Sequence, residues 1–231
     1  PAGSGKGLVA SLLHEQSNRA GGPFISLNCA TMQPEGLEIS LFGVEAQTSG
    51  AGAPREIGTF EQAHNGTLFL DEVADMPMET QGKIVRARQG QSFQRVGGAT
   101  RVEVDVRVIA ASSRNLTEEM AEGRLREDLF YRLSVVPLEI QPLADYREDI
   151  PDLADYFLKQ MALASGRPAR RFAEESIAQL QAYEWPGNVR ELKALAERFA
   201  LGLDLPEGPA APSAEPESLA ARVAAFEARE I

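Results

Sequence analysis

The chain has 231 residues, 43% of them apolar, and 23 Lys+Arg against 34 Asp+Glu for a formal net charge of −11. That fits one large soluble domain or two small ones, and excludes a disordered or fibrous chain and a general nucleic-acid binder, which needs clustered Lys/Arg. One cysteine, Cys29, with only His14 and His64 besides, excludes a disulfide framework and a multi-cysteine zinc centre; no apolar run or leading signal segment supports membrane insertion or secretion, so a cytoplasmic setting is expected.

Residues 6–17 read as a helix, and 24–27 (FISL) as a short strand after the Gly21-Gly22-Pro23 break. Residues 44–58, rich in small residues, read as an exposed excursion. A second strand, 67–70 (TLFL), ends in two acids; a helix follows over 78–88, then strands over 104–110 and 134–140. Runs this apolar suit central strands, and their alternation with helices predicts a parallel sheet covered by helices. From 147 to about 202 the strand signal stops, and 150–164, 173–182 and 188–201 carry apolar residues at helical spacing. A Pro/Ala-rich linker and a last amphipathic helix follow. The expected division is an α/β part over 1–145, a helical part over 146–204, a linker over 205–217, and over 218–231 the start of another domain. The first residue is Pro1, so the chain is expected to be part of a longer one, with one more strand upstream of Pro1.

The opening PAGSGKG places Gly3, Gly5 and Lys6 as in the end of a phosphate-binding loop, G-x-x-x-x-G-K-[ST]. Glycines let successive backbone N–H groups converge on phosphate oxygens, the following helix adds its dipole, and the lysine adds a mobile charge. A Gly-rich surface turn is the plainer alternative. The strand Leu68-Phe69-Leu70 ends in Asp71-Glu72; paired acids there suit a magnesium ligand followed by a base for water, or simply a solvated strand end.

PAGSGKG, PFISLNCA, LFG, GTLFLDE, GQSFQRVGG, VRVIAAS, LREDLFYRL and YEWPGNVREL follow one another in this order. Over residues 1 to about 204 this resembles the central AAA+ ATPase domain of the bacterial sigma-54 activators, the NtrC class of response regulators. VADMPMETQGKIVR and LFGVE look most like the NtrX-type subgroup. The resemblance implies a doubly wound, parallel-sheet P-loop domain followed by a small all-α subdomain. It implies ATP or ADP with Mg²⁺ at Ala2, Gly3, Ser4, Gly5, Lys6 and Gly7, with Asp71 as metal ligand and Glu72 activating water. Asn28 matches the asparagine that restrains this glutamate, Arg126 and Arg132 match arginines offered to a neighbouring subunit's γ-phosphate, and Arg190 matches a nucleotide-sensing lid arginine. It further implies a homo-oligomer (a ring, such as a hexamer, or a dimer when inactive), a sigma factor as partner, and DNA bound through a C-terminal helix-turn-helix domain begun at 218–231.

The sequence departs from that pattern at four places. A GAFTGA-containing loop follows LFG in the family; here residues 44–52 read VEAQTSGAG, without the Phe-Thr pair. Gly7 stands where Glu is usual, lowering helix propensity by up to ~1 kcal/mol. Ser112-Ser113 replaces Thr-Asn, with shorter reach expected, and Arg88 in ARQG stands where the family buries a leucine. The degenerate loop favours a module in which nucleotide sets assembly without sigma-54 remodelling, with weak ATP hydrolysis. The alternatives are a fully active ATP-hydrolysing sigma-54 activator, and a relic that binds nothing; the surviving set of charges argues against the relic.

Overall fold

The computed structural model describes residues 1–45, 55–166, 168 and 170–203. It divides into two units, Pro1–Pro142 with Gly187–Arg190, and Leu143–Pro186 with the described residues from 191 onward. The linker and last helix expected over 205–231 lie outside the described residues.

In the first unit, in chain order, are α1 (Lys6–Glu15), β1 (Phe24–Asn28), α2 (Pro34–Phe42), β2 (Gly43–Val44), β3 (Glu56–Ile57), α3 (Thr59–Gln62), β4 (Thr67–Asp71), α4 (Met78–Gly90), β5 (Ser92–Gln94), β6 (Arg101–Glu103), β7 (Arg107–Ala110), α5 (Leu116–Ala121) and α6 (Glu127–Leu133). Strands β1, β4 and β7 form a parallel sheet in that order, with Asn28 opposite Asp71 and Leu70 opposite Ala110. Strand β4 has a partner on each side and its first four residues are buried, which explains why TLFL is apolar without alternation. The buried pair His14 Nδ1 and Thr67 Oγ1, 2.9 Å apart, ties α1 to the start of β4.

Two short hairpins flank the sheet. Strands β2 and β3 pair antiparallel at the two ends of the expected excursion, whose residues 46–54 lie outside the described residues. Strands β5 and β6 pair likewise, and the strand expected over 104–110 is shorter than expected: 104–106 is irregular chain after β6, and only Arg107–Ala110 joins the sheet. Phe42, Phe60 and Phe93 meet with ring centroids 5.4–6.0 Å apart, locking α2, α3 and β5 into one core. Beside them Arg95, with a side chain only 5% exposed, donates from Nε and Nη2 to Glu61 and from Nη1 to Glu45 Oε2. A guanidinium so deeply placed persists because its carboxylates are placed with it.

The fourth expected strand is absent. Residues 134–140 form a turn and irregular chain, with Val135, Val136 and Leu138 exposed by 76%, 74% and 62%. Strand propensity needs a ladder to act on. Strand β7 is bonded to β4 on one edge only, and nothing among the described residues pairs with its other edge. Arg88 is half-buried and not core: its Nη1 donates to Val106 O at 3.1 Å, so the charge expected in a leucine's place keeps a backbone partner.

The second unit holds α7 (Ile150–Ser165), α8 (Glu174–Ala182) and most of α9 (Asn188–Ala200), close to the periodicity-based expectations. Helix α7 stops at Gly166, whose φ of 64° is the left-handed C-cap that glycine favours. Arg147 donates to the carbonyls of Ala144, Gln181 and Tyr183 at 2.7–3.0 Å, and Trp185, 1% exposed, donates from Nε1 to Leu180 O at 2.8 Å. Trp185→Ala removes both a large buried ring and that bond, so it is expected to cost about 3–5 kcal/mol of unfolding free energy, measurable by urea denaturation. No helix among the described residues is long and apolar enough to cross a membrane.

Candidate functional site

The loop from Pro1 to Gly5 reaches α1 with its own polar groups tied down. Ser4, buried, donates from Oγ to Pro1 O at 2.9 Å. Gly3 and Gly5 have φ of 73° and 91°, a region that side-chain-bearing residues rarely enter. At Gly3 there is a second reason for glycine: a Cβ there would lie 2.2 Å from Gly187 O. The segment Gly187–Arg190 is fastened to this loop, because Arg190 N donates to Gly3 O at 3.1 Å and Asn188 Nδ2 donates to Ala2 O at 2.9 Å. The backbone of Arg190 therefore stands beside the loop, and nothing in the sequence marked Asn188 as a clamp. Its φ of 52° is the trace in the backbone, and an asparagine tolerates it. Gly5 opens α1 without a side-chain cap, and α1 has no acid in its first turn. Those N–H groups are thereby left without an internal anion.

Across from the loop, the parallel register puts Asn28 and Asp71 side by side at the carboxyl edge of the sheet. Glu72 follows with φ 50° and ψ 52°, a left-handed conformation costly for a residue with a Cβ. Its Oε1 accepts from Lys6 Nζ at 3.1 Å, and its Oε2 accepts from both Ser113 N and Ser113 Oγ at 2.8 Å. Burial pushes the Glu72 carboxyl up, yet the two Ser113 donors and the Lys6 ammonium outweigh it and hold the group below the usual carboxylate range. Lys6 Nζ also donates to Pro1 O at 3.2 Å. Asp71 Oδ1 accepts from Glu72 N at 3.1 Å. Below the acids, Cys29 is buried, and its thiol is pushed up to about 12 by that burial and then by Asp71, Asp75 and Glu72. A thiol so raised is a small core residue and no nucleophile.

Lys6, Asp71, Glu72 and Ser113 are thus brought together. Asn28 is adjacent in register, but its Oδ1 accepts from Ala30 N at 2.9 Å and caps the single turn Cys29–Thr31. Besides Lys6, the residue bonded to Glu72 is Ser113, whose expected shorter reach does not keep it from the carboxylate. Gly7 is exposed, and the nearest atom to a Cβ there would be Phe69 Cε1 at 3.8 Å. Arg126 and Arg132 are not part of this group. Arg126 caps α6 and donates from Nε and Nη2 to Asp128 at 2.9 and 2.8 Å, and Arg132 is exposed in the last turn of α6.

Among the described residues no three His, Cys, Asp or Glu side chains converge as metal ligands. A magnesium ion needs no such cluster, because it keeps its waters and takes one or two carboxylates plus substrate phosphates. Asp71, with one oxygen engaged by a backbone N–H, fits such a role. Gly7 supplies no hydroxyl where the loop pattern has Ser or Thr.

Comparison with known proteins identifies the family. Residues 1–139 match the sigma-54 interaction domain and residues 144–206 the AAA+ ATPase lid domain. The nitrogen assimilation regulatory protein NtrX of Azorhizobium caulinodans is 50% identical over 201 residues, 87% of this chain and 44% of that protein. Crystal structures of Brucella abortus NtrX in complex with ADP and with ATP each superpose with a TM-score of 0.83 at 47% identity, covering 100% of this chain and 54% of theirs. The chain thus spans about half the length, or less, of the relatives it matches. It belongs to the sigma-54 interaction domain family, as a P-loop AAA+ domain with a parallel sheet, followed by a helical lid region.

Proposed function

We propose that this chain is the nucleotide-binding domain of a bacterial two-component response regulator, that residues 2–7 take ATP or ADP, and that copies assemble as a ring in which Arg126 and Arg132 of one copy serve the site of the next. The observation that carries this reading is the group Lys6–Glu72–Ser113 beside a loop with two left-handed glycines. Lys6 would exchange Glu72 for phosphate oxygens. Asp71 would hold Mg²⁺, whose charge neutralises the phosphates when bound. Glu72, kept ionised by Ser113, would orient water and accept its proton, while Arg190 lies against the loop where it can sense the phosphates. The relatives' ADP and ATP complexes support nucleotide as the ligand. We place the α/β part at 1–145, the lid at 146–204, and a DNA-binding domain after a linker, in a cytoplasmic protein.

Ser113→Ala tests the site directly. Hydrogen bonds to an ionised carboxylate favour the ionised form, so deleting the hydroxyl raises the pKa of Glu72. The acid limb of the hydrolysis–pH profile is expected to move to higher pH, and Ser113→Thr to restore it.

The same reading limits what the domain does to polymerase. Residues 44–52 contain no aromatic, and aromatic anchors dominate small interfaces, each worth about 2 kcal/mol or more. Assembly tuned by nucleotide, with little sigma-54 remodelling, follows. Transcription in vitro from a sigma-54 promoter tests it: the full-length protein with ATP is expected to give no stimulation of open complexes. Robust ATP-dependent activation would instead establish an active sigma-54 activator.

A further inference from the structure

At the amino end of the sheet, one strand's length from Glu72, lies a cavity of about 280 Å³. Three arginines from separate elements line it: Arg19 from the turn after α1, Arg88 from the last turn of α4 and Arg107 from the start of β7. Its one carboxylate, Asp105, is already engaged, with Oδ1 accepting from Arg19 Nη2 at 2.7 Å and its backbone O accepting from Arg19 Nη1 at 3.2 Å. Arg107 Nη1 donates to Leu13 O at 3.2 Å, and Arg88 Nη1 to Val106 O at 3.1 Å. Neither of these two guanidiniums is paired with a carboxylate among the described residues. Each carries five donors, so most of their hydrogen-bonding capacity remains unspent at the cavity wall. On a chain with a net charge of −11, a half-buried excess of two positive charges is an exception. It is also uncomfortable: burial and then the charges of Arg132 and Arg19 hold the Arg88 guanidinium below its usual range. Partly desolvated like charges gain most from an anion that bridges them.

We infer that this cavity is a second anion site, in which Arg88 and Arg107, with Arg19 beside them, hold the phosphoryl group of a small phosphorylated metabolite or of inorganic phosphate. Arginine forks match tetrahedral phosphate oxygens in pairs and give directional, charge-assisted bonds that lysine does not. The volume exceeds what a bare phosphate fills and lies near the lower end of the ~300–1,000 Å³ of small-molecule sites. It suits a compact monoester and is too small for a nucleic-acid strand. The site uses none of the residues assigned to nucleotide, so it stands or falls separately from the function proposed above.

Calorimetric titration of the chain carrying Lys6→Ala, which disables the loop near Gly5 as a competing phosphate site, tests this with inorganic phosphate and with glycerol 3-phosphate. Saturable binding of at least one is expected, weakened about tenfold or more by Arg88→Leu and by Arg107→Gln, as for loss of charge-assisted contacts. Two variants on different elements guard against a single folding defect, and thermal unfolding of each checks the fold. Tighter binding of the ester identifies an organic phosphate as the ligand, and equal binding identifies the free oxyanion. Absence of saturation by either up to about 10 mM, or affinities unchanged in both folded variants, would overturn the assignment.

Discussion

Lys6→Ala is expected to abolish binding of ATP and ADP, read by titration of a fluorescent nucleotide, while Glu72→Gln keeps binding and loses hydrolysis. The contrast follows from what each side chain does in the structure. Lys6 lies against the loop, donating from Nζ to Pro1 O, and is held by Glu72 at 3.1 Å, both side chains less than 20% exposed (13% and 17%). Entry of a phosphate replaces one anionic partner by another, so the ammonium stays neutralised throughout. Without Lys6 the loop keeps only backbone donors, and Glu72 turns from a partner of the lysine into an unscreened negative charge facing the incoming phosphates. Glu72→Gln removes that charge and should, if anything, tighten binding. The same pair sets a pH signature on stability. Glu72 sits below the usual carboxylate range in the folded chain, so its stabilisation is present above the unfolded-state pKa and is lost as pH falls through the folded one. Lys6→Ala removes part of it; the stability gap between the two proteins should therefore be widest near neutrality and close under acid conditions. A gap that widened on acidification would contradict the ion pair.

The strands of the parallel sheet and five of the helices were legible because their signals are local. TLFLD announces a doubly flanked strand by its unbroken apolar run, and the spacing within 150–164 and 188–201 announces helices whose ends lie within a residue or so of those observed. Residues 134–140 misled for the same reason: SVVPLEI has strand-like propensity, but a strand exists only beside a partner, and pairing is not written in one segment. Helices α2, α3, α5 and α6 were missed as elements: α3, α5 and α6 have only four to seven residues, and the apolar residues of α2 answer to neighbours far away in sequence, such as Phe60 and Phe93 for Phe42. At the site, glycines and acids could be read from residue type, since few other residues do their work. Which polar group grips Glu72 could not. Asn28 is the longer and more versatile side chain, yet the turn after β1 claims its Oδ1, and the left-handed backbone at Glu72 accompanies a carboxylate bound to Ser113. Such competition between a local cap and a distant partner is decided by three-dimensional placement.

Arg126→Ala and Arg132→Ala should each leave nucleotide binding by an isolated copy nearly unchanged and reduce hydrolysis by the assembled protein ~10³–10⁵-fold, the range for an arginine supplied from a neighbour. The intramolecular geometry supports a role in trans. Neither guanidinium is bonded to the Lys6–Glu72–Ser113 group, and both lie at exposed positions on or beside α6, where a second copy can be reached. Arg126 is engaged by Asp128, but an ion pair at the surface, with side chains 41% and 44% exposed, is screened by water and exchanges readily, so it does not withhold the arginine from a phosphate. Position also separates the two. Six residues apart, and with Arg126 at the cap outside the helix, they need not present to one point, so one of them should carry the larger loss. Mixing experiments distinguish a shared site from a structural defect. Arg132→Ala protein keeps Glu72, and Glu72→Gln protein keeps Arg132; at a mixed interface one intact half-site forms. Phosphate release by the mixture should exceed that of either variant alone. If the two proteins demonstrably co-assemble and the mixture stays inactive, for Arg126 and Arg132 alike, then the arginines act within their own copy or not at all, and the site is not shared.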